Sequence, residues 1–170
     1  MQFWKSGNRV IGINYDECAE NPREWYEGSD DEWHIVCMKN RRYSLPHEKE
    51  LESSEGCQVV PLSFFAHGNT ALVIGEHDDW DVCPCGYAWR KSNETETDSL
   101  QGELDIYNMW ANGDVMFATL YDLNGNVLDS IGGLFYDTCE EAAKSAANDY
   151  FDFDWENAEE TKPCYTMHFE

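Results

Sequence analysis

The chain of 170 residues contains 34 Asp and Glu against 11 Lys and Arg, a formal net charge of -23 at pH 7. A charge of this size repels nucleic acid and anionic membranes and attracts basic protein surfaces, which argues against a protein that binds DNA, RNA or a membrane directly. It does not indicate disorder, because hydrophobic residues make up 42% of the chain and aromatic residues 14%, enough to form the core of one globular domain over residues 1–170.

The first half of the chain predicts short strands separated by turns. Alternating apolar and polar residues are typical of a half-buried strand. The clearest signal is a pair of strands that flank a short loop containing Gly68, which predicts a β-hairpin. A polar, flexible connection is predicted over 91–99. The predicted strands are Arg9–Tyr15, 33–38, 57–65, 70–75 and 86–90.

The second half predicts one or two helices and a second hairpin. Residues 100–110 fit both a helical apolar face and a strand alternation, so both interpretations stay open. Asn124-Gly125 is a strong hairpin signal between two apolar segments. Thr138 and Glu141 have the spacing of a capping box, which predicts a helix that ends near Tyr150. Strands dominate, they are connected by hairpins, and the helices come late in the chain. The predicted fold class is therefore α+β, a single domain with an antiparallel sheet of hairpin-connected strands and one or two helices.

Two acidic stretches are the predicted partner-binding residues. Duplex DNA carries one charge per ~1.7 Å of axis, and carboxylates on alternating strand positions imitate such a row. The C-terminal stretch alternates acids with Phe151, Phe153 and Trp155, which predicts an edge strand and suggests aromatic anchors at an interface. A solvated acidic edge that serves only solubility is the alternative interpretation. The predicted contact residues are Asp149, Asp152, Asp154, Glu156, Glu159 and Glu160, with Asp78, Asp79 and Asp81 in the central stretch.

The cysteines allow a metal site as a second hypothesis. The start of the chain has no apolar run typical of a signal peptide, so we expect a cytoplasmic protein whose seven cysteines are reduced. Cys83 and Cys85, with Cys57 and His77, would supply four ligands for a structural zinc ion, and His67 is an alternative fourth ligand. The C-x-C spacing fits zinc less well than C-x₂₋₄-C, so reduced, packed thiols are the favoured interpretation.

The sequence predicts no enzyme activity. It contains no G-x-S-x-G, no P-loop, no dinucleotide fingerprint and no H-E-x-x-H motif. The segment 122–129 resembles a calcium loop in part but lacks its closing Glu, and a hairpin turn accounts for the same residues.

Several short motifs are spread over most of the chain. They are Asn21-Pro22-Arg23-Glu24, Cys37, Arg41-Arg42-Tyr43 with Leu45, Pro61-Leu62, His67-Gly68, Trp80-Asp81, Gly86-Tyr87 and the segment 113–137. Together they resemble a set of small acidic phage and prophage proteins, although the Cys83-Pro84-Cys85 segment departs from the pattern of that family. The family has no settled activity, but its genomic setting implies roles against host defence, and small acidic proteins of this kind include anti-CRISPR inhibitors of Cas9.

Together, the charge and the resemblance predict a phage-encoded inhibitor in the cytoplasm of the bacterial host. We expect its partner to be a basic host protein, Cas9 or another nucleic-acid-binding enzyme, whose DNA or guide binding it blocks. The alternatives are a zinc-stabilised protein-interaction module whose acidity serves only solubility, and an antirestriction protein that mimics DNA.

Overall fold

The computed structural model describes residues 1–26, 32–38 and 43–162, and it confirms the predicted antiparallel α+β class. Arg41 and Arg42, which carry part of the family resemblance, lie outside these ranges. The strands are β1 (Gln2–Ser6), β2 (Arg9–Tyr15), β3 (His34–Cys37), β4 (Cys57–His67), β5 (Asn69–Ile74), β6 (Val82–Lys91), β7 (Met116–Asp122), β8 (Val127–Leu134) and β9 (Glu159–Thr161). The helices are α1 (Asp98–Asn112) and α2 (Cys139–Asp149), and short 3₁₀ helices lie at Pro22–Tyr26 and Trp155–Asn157.

The contacts within the chain define two compact units. Unit 1 comprises Met1–Glu20 and Gly113–Glu170, and unit 2 comprises Asn21–Asn112, so unit 2 is inserted into the sequence of unit 1. Each unit has its own antiparallel sheet. The expectation of one domain over residues 1–170 stays a prediction.

Unit 1 is a five-stranded sheet in the order β8-β7-β2-β1-β9, with α2 packed on β2 and β7. Ile11 and Ile13 are fully buried and lie in one core cluster with the helix residues Ala142 and Ala146. Alternate residues of a strand face opposite sides of a sheet, which explains why these two isoleucines share one cluster. The predicted capping box begins α2, since the Thr138 hydroxyl accepts a hydrogen bond from the Glu141 N–H.

Close packing also explains a glycine in the middle of β2. The ring of Phe3 covers Gly12, and a Cβ atom added there would lie 2.8 Å from a carbon of that ring. Any larger residue would therefore displace Phe3, which is only 2% exposed.

The predicted β7–β8 hairpin is present, and the side chain of Asp122 holds its turn. One carboxylate oxygen accepts hydrogen bonds from the N–H groups of Asn124 (2.8 Å) and Asn126 (2.9 Å), and the other accepts from Asn126 Nδ2 at 2.7 Å. These bonds lower the pKa of Asp122, because they stabilise the ionised carboxylate. The partial likeness to a calcium loop is thus explained by a turn.

Unit 2 is a four-stranded sheet in the order β3-β6-β4-β5, with α1 packed against β5. Residues 100–110 are helical, because Leu100, Leu104 and Tyr107 bury one face of α1 in the core around Trp33 and Leu62. The predicted hairpin of β4 and β5 turns at Gly68, which has a φ of 82°.

Two asparagines of α1 cover the outer edge of β5. The N–H of Leu72 donates to Asn108 Oδ1 at 2.8 Å, and Asn108 Nδ2 donates to the Leu72 carbonyl at 3.0 Å. Asn112, one turn later, makes the same pair of bonds with Thr70, at 2.8 Å each. An open strand edge is a template for pairing with other chains, and these side chains occupy it.

Candidate functional site

The C-terminal acidic surface consists of Asp149, Asp152, Asp154, Glu156, Glu159 and Glu160, and all six side chains are exposed. It begins at the end of α2 and continues through the 3₁₀ helix at Trp155–Asn157. It ends on β9, which pairs with β1 at one edge of the unit 1 sheet. An edge strand therefore forms in this tail at Glu159–Thr161, but the residues whose alternation predicted it, 151–155, are not part of a strand.

The aromatic residues between these acids face the core, which corrects the expectation that they anchor a partner. Phe151 is 7% exposed, and Phe153 and Trp155 pack against the same core cluster. The ring centroids of Trp155 and Trp4 lie 5.9 Å apart. The aromatic side chains thus attach the segment to unit 1, and the carboxylates project from it.

Little positive charge compensates this surface. Asp152 pairs with Arg9 at 2.9 Å, although the Asp152 side chain is 94% exposed, so the pair is solvated. Asp149 and Asp154 accept hydrogen bonds from neutral side chains, Ser145 and Asn157. In the described ranges of the chain, the other five acids form no ion pair.

The central acidic stretch forms a tight turn in unit 2, which we call the Trp80 turn (residues 78–82). The Asp79 N–H donates to the Val82 carbonyl at 3.0 Å, and the Val82 N–H donates back to Asp79 at 3.3 Å. Asp78 and Asp79 are exposed, and Asp81 contacts His67 Nδ1 at 3.1 Å. Trp80 is 97% exposed, a feature that sequence reasoning did not single out.

The predicted zinc ligands do not converge, which corrects that site. Cys57 lies opposite Lys91 and Cys83 opposite Phe64, positions seven residues apart on β4 and so separated by roughly 23 Å. The ring of His77 contacts the Ile74 carbonyl, and the alternative ligand His67 contacts Asp81. No three His, Cys, Asp or Glu side chains of residues 1–26, 32–38 and 43–162 are grouped so as to hold a metal ion.

Cys85 belongs instead to a buried thiol pair. Its Sγ lies 3.6 Å from Sγ of Cys37 on the neighbouring strand, and the two residues are 5% and 1% exposed. The hydrogen bond to Cys85 and burial together raise the pKa of Cys37. Cys83, two residues away, is exposed. The favoured interpretation of packed thiols therefore describes Cys37 and Cys85 but not Cys83.

A buried arginine in unit 2 was not found from the sequence. Arg23 donates to Glu48 from Nε at 2.7 Å, to Glu103 at 2.5 Å and to the Trp33 carbonyl at 2.6 Å. It lines a cavity of about 510 Å³ together with His34. Because its nitrogens already bind the protein, the guanidinium stabilises the fold and is not available to an anionic ligand in that cavity.

None of the helices in the described part of the chain has the length and apolar character needed to cross a membrane. Unit 1 presents the exposed carboxylates of the C-terminal acidic surface, and unit 2 presents the exposed side chain of Trp80. No family model, curated protein or solved structure matches this chain.

Proposed function

We propose that this chain is an inhibitor that binds the cationic, nucleic-acid-binding surface of a partner protein and blocks DNA or guide RNA there. The C-terminal acidic surface carries the proposal, because its six exposed carboxylates share a single ion pair among the described residues, that of Asp152 with Arg9. A protein groove that binds phosphates presents many Lys and Arg side chains. A dense group of carboxylates complements such a groove and speeds association with it.

The attachment of the acidic segment to its unit supports the same function. Phe151, Phe153 and Trp155 alternate with the acids and pack on the core of unit 1. The carboxylates are therefore held in place before any partner binds. A preorganised surface loses less conformational entropy on binding than a flexible acidic tail would lose.

The choice of partner rests on the resemblance to small acidic phage and prophage proteins. It makes Cas9 the first target to examine and the cytoplasm of a bacterial host the expected compartment. Cas9 holds its RNA–DNA duplex in a positively charged channel through backbone contacts, which a charged protein surface can imitate. The DNA cleft of a restriction enzyme has the same chemistry and is the second target.

The experiment measures DNA cleavage by guide-loaded Cas9, and separately by a restriction endonuclease, against the concentration of this chain. A neutralised variant carries Asp154→Asn, Glu156→Gln, Glu159→Gln and Glu160→Gln, and leaves the Asp152 pair with Arg9 intact. A control variant removes the same charge from other exposed acids. The control substitutions are Glu17→Gln, Glu52→Gln, Glu55→Gln and Glu96→Gln.

We expect the wild type to inhibit at least one enzyme. Neutralisation should raise the inhibitory concentration by about tenfold or more, because complementary charge dominates such contacts. The control variant should inhibit as the wild type does. No inhibition of either enzyme, or equal inhibition by the two variants, would overturn the proposal.

A further inference from the structure

The side chain of Trp80 is the most exposed large apolar group described in unit 2, at 97%. It has no ring contact within the described chain. A tryptophan is among the residues that most often dominate binding when it is buried by a partner. A single exposed apolar residue would need no explanation, but Trp80 lies in a turn that backbone hydrogen bonds hold and that aspartates flank.

Backbone hydrogen bonds hold that turn on two sides. Asp79 and Val82 exchange both of their N–H···O bonds, at 3.0 and 3.3 Å. The Asp81 carbonyl accepts from the N–H of Ala66 on β4 at 3.1 Å. The Trp80 ring is therefore presented by a backbone that is already ordered, so a partner would have little of the turn left to order.

The charges around the ring select a cationic partner. Asp78 and Asp79 are exposed and form no ion pair with any residue in the described ranges. Asp81 is held by His67, and the ring of His77 contacts the Ile74 carbonyl. A cation stacked on an indole ring is attracted by its π face, and adjacent carboxylates add charge-assisted hydrogen bonds.

We propose that the Trp80 turn binds an arginine side chain in a basic segment of the partner. Arginine fits better than lysine, because its planar guanidinium stacks on an aromatic ring while its N–H groups bind carboxylates. The inference rests on the proposed function only for the basic character of the partner. A second copy of this chain is a poor occupant, since each copy has a net charge of -23.

The test uses the whole chain and three synthetic octapeptides of alternating glycine with arginine, lysine or citrulline. Citrulline keeps the planar shape of arginine and removes its charge. Isothermal titration calorimetry gives the affinity of each peptide for the wild type and for Trp80→Ala, Trp80→Phe and Asp78→Asn/Asp79→Asn. Trp25→Ala is the matched control, because Trp25 is also in unit 2 and is 49% exposed.

We expect the arginine peptide to bind the wild type more tightly than the lysine peptide, and the citrulline peptide not to bind. Trp80→Ala should weaken the arginine peptide by about tenfold, and Trp80→Phe by less, because a phenyl ring keeps part of the cation–π attraction. The double Asp variant should also weaken it. Circular dichroism confirms that each variant is folded.

Equal affinity of Trp80→Ala and Trp25→Ala for the arginine peptide would overturn the inference, as would equal binding of arginine and citrulline peptides. Self-association that Trp80→Ala abolishes would also overturn it, since the occupant would then be a second copy. The C-terminal neutralised variant separates the two proposals. If that variant loses enzyme inhibition but Trp80→Ala binds the arginine peptide as the wild type does, only this inference is contradicted. If that variant keeps its enzyme inhibition but Trp80→Ala weakens the binding of the arginine peptide, only the proposed function is contradicted.

Discussion

The guanidinium of Arg23 binds the carboxylate of Glu48 at two points inside unit 2. Nε donates to Oε1 at 2.7 Å, and the terminal nitrogen Nη2 donates to Oε2 at 3.0 Å. Glu48 also accepts from the Ile35 N–H at 2.9 Å. This pair therefore joins the 3₁₀ helix at Pro22–Tyr26 to β3, through planar, charge-assisted bonds that lysine would not reproduce.

Replacing Arg23 should destabilise the fold severely. Arg23→Met leaves Glu48 and Glu103 without their cation, and breaking a buried ion pair costs about 3–5 kcal/mol. Chemical denaturation of the variant measures the loss. Glu94→Gln, which removes the exposed partner of Arg90, is the control and should cost about 0–1 kcal/mol. If the two variants lose the same stability, Arg23 does not hold unit 2 together.

Glu103 should make stability depend on pH in a defined direction. Burial raises the pKa of Glu103, although its hydrogen bond to Arg23 opposes the shift. The folded state thus binds this proton more tightly than the unfolded chain, and the resulting stability is lost as the pH rises through the folded pKa. The quantity to follow is the free energy of unfolding of the wild type minus that of Glu103→Gln. We expect this difference to decrease as the pH rises from the ordinary pKa of a Glu side chain to the raised pKa of Glu103 in the folded state. A difference that rises with pH would contradict this.

The cysteines should differ in their reaction with iodoacetamide. Thiolates are the reactive form, so the buried Cys37, whose pKa is raised, should react only when the protein unfolds. Cys18 and Cys83 are exposed and should react in the native state. Peptide mass spectrometry after timed labelling measures each site. Native labelling of Cys37 as fast as that of Cys83 would show that the buried pair does not exist in solution.

Asn108 and Asn112, which we call the asparagine clamp, should slow hydrogen exchange at the backbone of β5. Asn108→Ala removes the hydrogen-bond partners of the Leu72 N–H and carbonyl. These two backbone groups are then unsatisfied, which should lower the free energy of unfolding by about 1–3 kcal/mol. Hydrogen exchange at the Leu72 amide should accelerate, whereas the exposed substitution Asn93→Ala should leave it unchanged. Unchanged exchange in Asn108→Ala would contradict the assigned role of the clamp.

Local patterns predicted much of this fold. The alternation of Arg9–Tyr15, the glycine turn at Gly68 and the Asn124-Gly125 turn all mark elements that the structure contains. β1 has no comparable signal. The first part of β6 was missed because Pro84 breaks a strand pattern. Within the described ranges, β3 pairs with β6 from Gly86 to Trp89, so Pro84 lies beyond that described pairing.

The candidate sites show where sequence patterns fail. The exposure of the C-terminal acids follows from their charge, but the inward packing of Trp155 depends on contact with Trp4, far away in sequence. The zinc prediction failed for a related reason. The register between β4 and β6 places Cys57 and Cys83 at distant points, and register is set by long-range pairing rather than by local spacing.

Competition for the partner's nucleic-acid channel tests the central claim most directly. Fluorescence anisotropy measures the binding of labelled guide RNA to apo Cas9, and of labelled duplex to the restriction enzyme, at increasing concentrations of this chain. We expect the wild type to displace the nucleic acid from at least one of them, less effectively as salt rises and far less effectively after neutralisation of the C-terminal acidic surface. Retention of both nucleic acids at full affinity, in the presence of saturating chain, would contradict the account.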